Sequence, residues 1–498
     1  MSAKMNRRTF LGSAVASSAF SIVPRHVLGG AGFVAPSEKI TLAHIGMGTQ
    51  GFNELGSLLA EPQIQIVAVC DPNTSSNDYV EWGKHGIRNK IRTYLDKPTW
   101  REDDTGCPGG REVGREVVDT YYANHAGTKA SQACATYVDF RDLLANEKDL
   151  DAVKVMTPDH LHATVSIAAM REGRHVLMHK PIANRLAEGR KVLETQRQTQ
   201  TATHLLAYGS GGGNGHIVKQ IKAGVIGPLR EVHNWSNRPV WPQYTETPGD
   251  RPPVPKGFDW DLWLGPATYR PYHPHYTHTV FRGWYDFGGG SMADMGIYSL
   301  WPVFDGLNLA APVAAEAWGT HACTIKDHVS RPIHNDFSYP AACTIHLEFA
   351  PRQGMPAMDL FWYDGGMKPR LPREVAAHSV EMGKEGILFV GDQGAILASF
   401  HGENPRLFTR GKNRPLRVDQ DDSRNVNRLG LWIKACKGGK ASPGSFLNAG
   451  AITDAVNLGT VALRSGRKVQ FDSDKMKVTN VPEANKYLVR EYRQGWAL

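Results

Sequence analysis

Residues 40–71 read ITLAHIGMGTQGFNELGSLLAEPQIQIVAVCD, and the reading of the whole chain starts there. An apolar run (Ile40, Leu42, Ala43, Ile45) ends in Gly46-Met47-Gly48-Thr49-Gln50-Gly51. A helix-patterned stretch follows, and a second apolar run, Ile64 to Cys70, closes on Asp71. Strand, glycine turn, helix, strand and acid in this order form a dinucleotide-binding unit. Gly46 permits the tight turn, Gly48 lets the backbone approach a pyrophosphate, and Gly51 lets the helix pack closely on the strand. The helix N-terminus offers free N–H groups to the phosphates. Asp71, 20 residues beyond Gly51, is placed to bind the ribose hydroxyls of the adenosine. The expected cofactor contacts in this unit are Gly46, Met47, Gly48, Gln50, Gly51 and Asp71. Pro72-Asn73 come next with no arginine to receive a 2′-phosphate, which favours NAD over NADP.

Downstream the alternation breaks. Residues 74–130 form a long insertion rich in charge and turn formers, with Gly-Cys-Pro-Gly-Gly at 106–110. Insertions of this length are functional, disordered or oligomeric. Regular structure returns with the strand Ala152–Met156, the turn Thr157-Pro158 and a helix from Ala163 to Glu172. A strand, His175–Met178, then leads into His179-Lys180-Pro181. Alternating strands and helices with short connections predict a right-handed parallel sheet. A linking helix from Asn184 to Gln198 and the strand Thr203–Tyr208 follow, then the glycine-rich run 209–215. No strand, helix and acid complete a second phosphate cradle there, so that run reads as a flexible substrate-side loop. From Arg230 the texture changes to longer polar–apolar alternations, which predict a largely antiparallel sheet in a second domain. Two late helices, Ser423–Cys436 with Ser423 as N-cap and Asn448–Leu463, close the pattern.

The 498 residues, 41% hydrophobic and 21% charged, describe an ordinary globular protein of two or more domains. The formal charge is +8, but Lys4, Arg7, Arg8 and Arg25 precede the first acid, Glu38. Removing these four charges leaves +4, too little to argue for nucleic acid. Asn6-Arg7-Arg8-Thr9-Phe10-Leu11 is a twin-arginine pattern, followed by an apolar run from Gly12 to Val23. That run is shorter than the ~20 residues of a membrane span. Residues 1–36 therefore read as a twin-arginine export signal, with a periplasmic or other extracytoplasmic destination and no membrane span in the mature protein. In an oxidising compartment Cys107 and Cys134 are positioned to staple the loop between them. Cys70 and Cys436 sit in apolar patterns and read as buried thiols.

Three later motifs resemble the Gfo/Idh/MocA family (glucose–fructose oxidoreductase, inositol dehydrogenase and relatives). His175-Val176-Leu177-Met178-His179-Lys180-Pro181 is similar to its GKHVxxEKP signature. Residues 157–162, TPDHLH, match its TPxxxH strand end, and residues 288–298, GGGSMADMGIY, resemble its GGGxxxDxGxH helix. The resemblance runs in order from about Ile40 to Arg467. It implies an α/β protein with an N-terminal Rossmann domain (37–183, carrying the insertion 74–130) and a C-terminal α+β domain. The latter, residues 184–480, would hold a large open antiparallel sheet, with the substrate between the domains and a tail at 481–498. It further implies Thr157, Pro158, His160, His162 and Lys180 as cofactor contacts, and a homodimer or homotetramer through the C-terminal sheet. Two departures stand out: the usual Glu before the lysine is His179, and the usual final His is Tyr298.

Oxidising a secondary alcohol needs a base for the hydroxyl proton and a hydride acceptor held close to the carbon. Lys180 at a strand end, with Asp294 and Tyr298 four residues apart on one helix face, are the expected catalytic and substrate-binding trio. Free tyrosine ionises near pH ~10, and a lysine cation beside Tyr298 is expected to stabilise its phenolate as the base. Residues 235–301 are dense in aromatics suited to sugar rings, and Arg282 and Trp284 are the expected further substrate contacts. His273, His275 and His278 lack a carboxylate or cysteine at matching spacing, so they read as a loop at the substrate mouth and not as a metal site. The expectation is an exported, NAD-dependent sugar or polyol oxidoreductase with tightly held cofactor. Its rivals are a redox-neutral glycoside-processing enzyme and a non-catalytic sugar-binding protein.

Overall fold

The computed structural model describes residues 34–125, 133–210, 212–352, 354–417 and 427–498. The twin-arginine stretch and Ser423 lie outside them.

The opening unit folds as its pattern dictates. Strand β1 (Ile40–Ile45) ends at Gly46, helix α1 spans Thr49–Leu59, and β2 (Ile64–Cys70) ends at Asp71. The insertion is structured: β3 (Ser76–Tyr79) and β4 (Cys107–Gly109) pair antiparallel around α2 (Gly86–Leu95), and α3 (Arg111–His125) follows. Then come β5 (Ala135–Tyr137), α4 (Phe140–Asn146), β6 (Ala152–Val155), α5 (Asp159–Arg171), β7 (His175–Met178), α6 (Leu186–Thr199) and β8 (Thr203–Leu205). The six parallel strands lie in the order β5-β2-β1-β6-β7-β8. That order reverses between β1 and β6, the switch point at whose C-terminal edge α/β sheets bind ligands. The sheet draws its last strand from beyond residue 183, so the expected domain boundary falls inside it.

Helix α7 (Gly212–Lys222) leads to the second domain. The glycine-rich run is a correction. It is not a substrate-side loop, because α7 begins within it and packs away from the cleft. Asn214 is buried and donates to the carbonyls of Ser299 and Phe400. The second sheet contains β9 (Leu229–Trp235), β10 (Ala314–Gly319), β13 (Cys343–Phe349), β14 (Met358–Tyr363), β15 (Gly386–Gly391), β16 (Gly394–Ala398), β17 (Arg406–Thr409) and β18 (Lys412–Pro415). The short strands β19 (Val469–Asp472) and β20 (Lys477–Val478) complete it. A separate hairpin is formed by β11 (Cys323–Lys326) and β12 (Val329–Pro332). Of the ten strands only β9 and β14 pair in parallel.

Strict alternation in β13 and β14 turns Ile345, Leu347, Leu360 and Trp362 inward onto helices α8 (Ile297–Leu307) and α10 (Gly450–Ser465). The opposite face carries a mostly buried ring ladder, with His346 on Phe361 at 4.4 Å and Phe361 on His233 at 5.0 Å. Helix α9 runs Arg428–Cys436, and its N-cap is Asn427, which accepts from Gly430 N. Among the described residues one helical run, Phe446–Ser465, is long and apolar enough to cross a membrane, and 67% of it is buried inside this domain.

Residues 482–498 strap the two domains together. Arg490 is buried against Glu188 at 2.8 Å, Arg493 donates to the Gly265 carbonyl, and Trp496 packs on Phe140 beneath Arg141. The expected Cys107–Cys134 disulfide is absent: both thiols are free and buried. Cys107 faces Thr49, and the Cys134 backbone is held instead by Asp119.

Candidate active site

A cleft of about 1180 Å³ opens at the switch point and runs between the domains. At its cofactor end, Gly46 has φ +100°, and a Cβ on it would stand 2.5 Å from the Met156 carbonyl oxygen. Only glycine lets β1 and β6 end this close together. Gly48 caps α1 without a side chain, and the first helical bond runs from Phe52 N to Gly48 O. The N–H groups of Thr49, Gln50 and Gly51 precede it at the cleft wall. Asp71 closes this end, accepting from Met47 N at 2.7 Å and Asn73 N at 2.8 Å. Burial pushes its carboxyl up to about 6 against these bonds. A narrow glycine turn, a helix N-terminus and a buried carboxylate held by two backbone N–H groups fit a dinucleotide.

The substrate end is assembled across the domain junction. His162 bridges the carbonyls of Pro181 and Thr157, fixing the ends of β7 and β6 to each other. Asp159 takes the Gly289 N–H at 3.0 Å, and Asn184 donates to the carbonyls of Tyr285, Asp286 and Gly288. Gly288 approaches so closely that a Cβ there would meet Arg282 Cα at 2.5 Å. These grips set the π-helical turn Met292–Gly296, which runs into α8 and aims Asp294 and Tyr298 at the cleft. Lys180 Nζ pairs with Asp294 Oδ1 at 2.5 Å, while Arg282 Nε and Arg238 Nε each stand 3.4 Å from the same carboxylate. Burial alone would raise Asp294, but Lys180, Arg282 and Arg238 overcome it and hold the group well below the usual carboxylate range. Burial pulls Lys180 downward, with Asp294 opposing.

Behind this cluster runs a second chain of contacts. The Tyr298 hydroxyl lies 3.1 Å from His179 Nε2, His179 Nδ1 lies 2.8 Å from Glu54 Oε1, and Glu54 Oε2 pairs with buried Lys154. Burial lowers His179, against Glu54, so the imidazole is neutral near pH 7. For Glu54, burial works upward but Lys154 and His179 win, and the carboxylate stays ionised. Burial pushes the Tyr298 phenol up, with Asp294 and Glu54 adding to it. The expected lysine-stabilised phenolate is therefore corrected: Lys180 spends its charge on Asp294 and sits 5.1 Å from the Tyr298 ring centroid. Tyr298 is a neutral phenol able to donate to His179 and to accept from a ligand hydroxyl.

Comparison with known proteins agrees with this architecture. Residues 111–205 match the model of the Gfo/Idh/MocA "oxidoreductase family, NAD-binding Rossmann fold", and residues 214–353 match that family's "C-terminal alpha/beta domain". The chain belongs to the Gfo/Idh/MocA oxidoreductase family. It is similar to 4-carboxy-2-hydroxymuconate-6-semialdehyde dehydrogenase of Sphingobium sp. (strain NBRC 103272 / SYK-6), 36% identical over 88 residues, 18% of this chain and 24% of that one. It is also similar to glycosyl hydrolase family 109 protein 1 of Shewanella sp. (strain ANA-3), 23% identical over 220 residues, 43% of this chain and 39% of that one. The matches thus span well under half the length of these relatives. The WlbA dehydrogenases of Bordetella pertussis and Chromobacterium violaceum, both solved with NADH and UDP-GlcNAcA, share the fold. Their TM-scores are 0.51 and 0.52 at 13% and 15% identity, covering 87% and 88% of this chain and 99% and 98% of theirs.

Within this family member, Gly46, Gly48, Gln50, Gly51, Asp71, Thr157, Pro158, Lys180, Arg282, Asp294 and Tyr298 all line the cleft. Four expected contacts do not. The Met47 side chain is buried under α3, and only its amide serves the site, by holding Asp71. His160 is buried with Nε2 on the Trp263 carbonyl, and His162 is consumed by its two carbonyls. Trp284 is enclosed in an aromatic cluster, its indole N–H on the His275 carbonyl. Sequence reasoning missed Tyr79, Trp82, Arg238, Glu54 and Lys154. It also missed Arg111, whose guanidinium bonds the Asp71 carbonyl at 3.2 Å and Thr74, so an arginine does stand beside Asp71. The His273–His278 loop reaches the mouth as expected, through His278 and Thr279.

Proposed function

We propose that the protein transfers hydride between a tightly held NAD and a hydroxyl-bearing carbon of a sugar, polyol or glycoside. The carrying observation is the convergence of Lys180, Asp294 and Tyr298, from separate parts of the chain, on the cleft that begins at the glycine turn. A nicotinamide cofactor held by the Gly46–Gly51 turn and Asp71 would supply the hydride acceptor for the carbinol carbon. The chain's own residues handle the proton. Lys180, held by Asp294, and Tyr298 orient the substrate hydroxyl; as its proton moves to the Tyr298 oxygen, the phenol proton passes to His179 Nε2. Glu54 stabilises the resulting imidazolium. No phenolate is required, and such acid–base relays contribute ~10²–10⁴-fold.

Asp71 supports NAD over NADP, since its carboxylate repels a 2′-phosphate. The Arg7-Arg8 pattern supports export to an extracytoplasmic space, where a tightly bound cofactor is an advantage. The likeness to glycosyl hydrolase family 109 proteins favours one second reading, a redox-neutral cycle in which the hydride returns to the same substrate. The test is to denature desalted protein, identify the released dinucleotide, and follow reduced nicotinamide in the intact protein as sugars are added. Stoichiometric gain or loss of reduced nicotinamide on adding a sugar supports net hydride transfer, from the sugar or to it respectively; product release with no lasting redox change supports the second reading. Protein empty of dinucleotide that binds NAD only at millimolar levels ends both.

A further inference from the structure

The substrate end of the cleft holds more positive charge than its own acids balance. Lys180, Arg238 and Arg282 face Asp294, while the cleft's other lining carboxylate, Asp71, stands at the cofactor end. Asp159 is bonded to the Gly289 N–H and also acts electrostatically on Lys180; counted with the other four it leaves the group of five at one positive charge. Glu54 is matched by Lys154, and His179 is neutral. A partly buried net charge is costly unless a counter-charge joins it.

The two arginines are also held open. The Arg238 guanidinium rests 6.0 Å from the Trp82 ring centroid and that of Arg282 4.6 Å from Phe281. Their hydrogen bonds within the chain are few: Arg238 Nη1 donates to Asn237 at 3.1 Å and Arg282 Nη1 to the Thr279 carbonyl at 3.5 Å. Arg238 Nε is buried and, although ion-paired with Asp294 at 3.4 Å, makes no aligned hydrogen bond. A planar fork with free N–H groups matches a carboxylate in two-point contact. Trp82, 53% exposed at the cleft wall, offers a face for a sugar ring beside it.

We propose that the substrate is a carbohydrate bearing one carboxylate, a uronic or aldonic acid, with the acid group seated between Arg238 and Arg282 and a separate hydroxyl carbon presented to Lys180 and Tyr298. The proposal rests on the oxidoreductase reading and narrows its substrate class. The carboxylate makes and breaks no bond; it positions the ring and completes the charge balance. One carboxylate, not a phosphate dianion, matches a surplus of one.

The experiment compares, on the cofactor-loaded protein, glucuronate and galacturonate with glucose and galactose, and with glucose 6-phosphate. The acids should show kcat/KM about 10- to 100-fold above the neutral sugars, the worth of a charge-assisted hydrogen-bond pair. Arg238→Gln should erase most of that ratio through KM. In the wild type, added salt should raise KM for the acids and leave the neutral sugars unmoved, a readout that survives if the variant fails to fold. Neutral sugars used as well as the acids overturn the proposal while leaving the oxidoreductase reading intact, and preference for the phosphate ester overturns the carboxylate assignment. If no sugar alters the cofactor, the oxidoreductase reading fails. Calorimetric titration with glucuronate then decides separately: saturable binding lost in Arg238→Gln supports the anion seat, and no binding overturns it.

Discussion

The hydroxyl of Tyr298 and Nε2 of His179 stand 3.1 Å apart, and both residues depart from the motifs that the chain otherwise resembles. Two unusual residues in mutual contact amount to one rearrangement. A histidine supplied from the strand-end motif replaces the one missing from the helix motif, and Glu54 of α1 supplies the carboxylate behind it. The chain of contacts from the cleft thereby runs toward the back of the cofactor domain.

If that path carries the substrate proton, Tyr298→Phe, His179→Ala and Glu54→Gln should each cut kcat by ~10²-fold or more while the dinucleotide stays bound. Neutral His179 is the acceptor, so the wild-type rate should rise with pH through a limb below the ordinary histidine value of about 6.5. Glu54 raises His179, so the limb in Glu54→Gln should move to lower pH. A Glu54→Gln enzyme with wild-type kcat and an unmoved limb contradicts the relay.

Cofactor retention should depend on pH through Asp71. Its folded carboxyl is raised to about 6 from 3.8 by burial, so the empty protein gains stability as pH falls from 6 toward 4 and loses it as the group ionises. The ionised form is the one that accepts ribose hydroxyls. NAD affinity measured by fluorescence titration should therefore weaken below pH 6 in the wild type and become flat in Asp71→Asn. Equal pH dependence in both proteins would remove Asp71 from the cofactor site.

Arg111 alters what a cofactor switch requires. Its guanidinium already reaches the Asp71 backbone, so Asp71→Ser should move the NADP-to-NAD affinity ratio upward by about tenfold or more. The double change Asp71→Ser with Arg111→Ala should lose most of that gain. Equal ratios in the single and double variants would show that Arg111 has no part in phosphate selection.

The strap is expected to dominate stability. Arg490 and Glu188 have side chains only 4% and 1% exposed, and Arg490 also donates to Asn184 and the Asp286 carbonyl. Arg490→Met leaves a buried carboxylate unpaired and should cost about 3–5 kcal/mol, read as a lowered denaturation midpoint. The surface pair Arg467–Glu483, 61% and 64% exposed, serves as the control, and its removal should cost under about 1 kcal/mol.

Local pattern made much of this legible. The glycine turn, Lys180, Asp294 and Tyr298 announce themselves because short-range geometry fixes them: a turn, a strand end, a spacing of four on a helix. Met47, His160 and His162 were misassigned because a motif marks where the backbone goes, and these side chains serve the backbone. Trp284 failed for a related reason: aromatic density does not say which ring faces inward. Lys154 did carry a signal, a lone charge in the strand Ala152–Val155 that demands a buried partner, although nothing local points to Glu54. Tyr79, Trp82 and Arg111 come from the irregular insertion, where long-range packing alone decides placement.

The strap also sets an order of events during synthesis. Trp496 rests on Phe140, and Arg490 on Glu188, both in or beside the cofactor domain. A ribosome that has delivered the glycine turn, the parallel sheet and most of the second domain has still not delivered the residues that lock the two halves together. Until residues 490–496 are made, α6 lacks the Arg490 partner of Glu188 and α4 lacks the ring that covers Phe140.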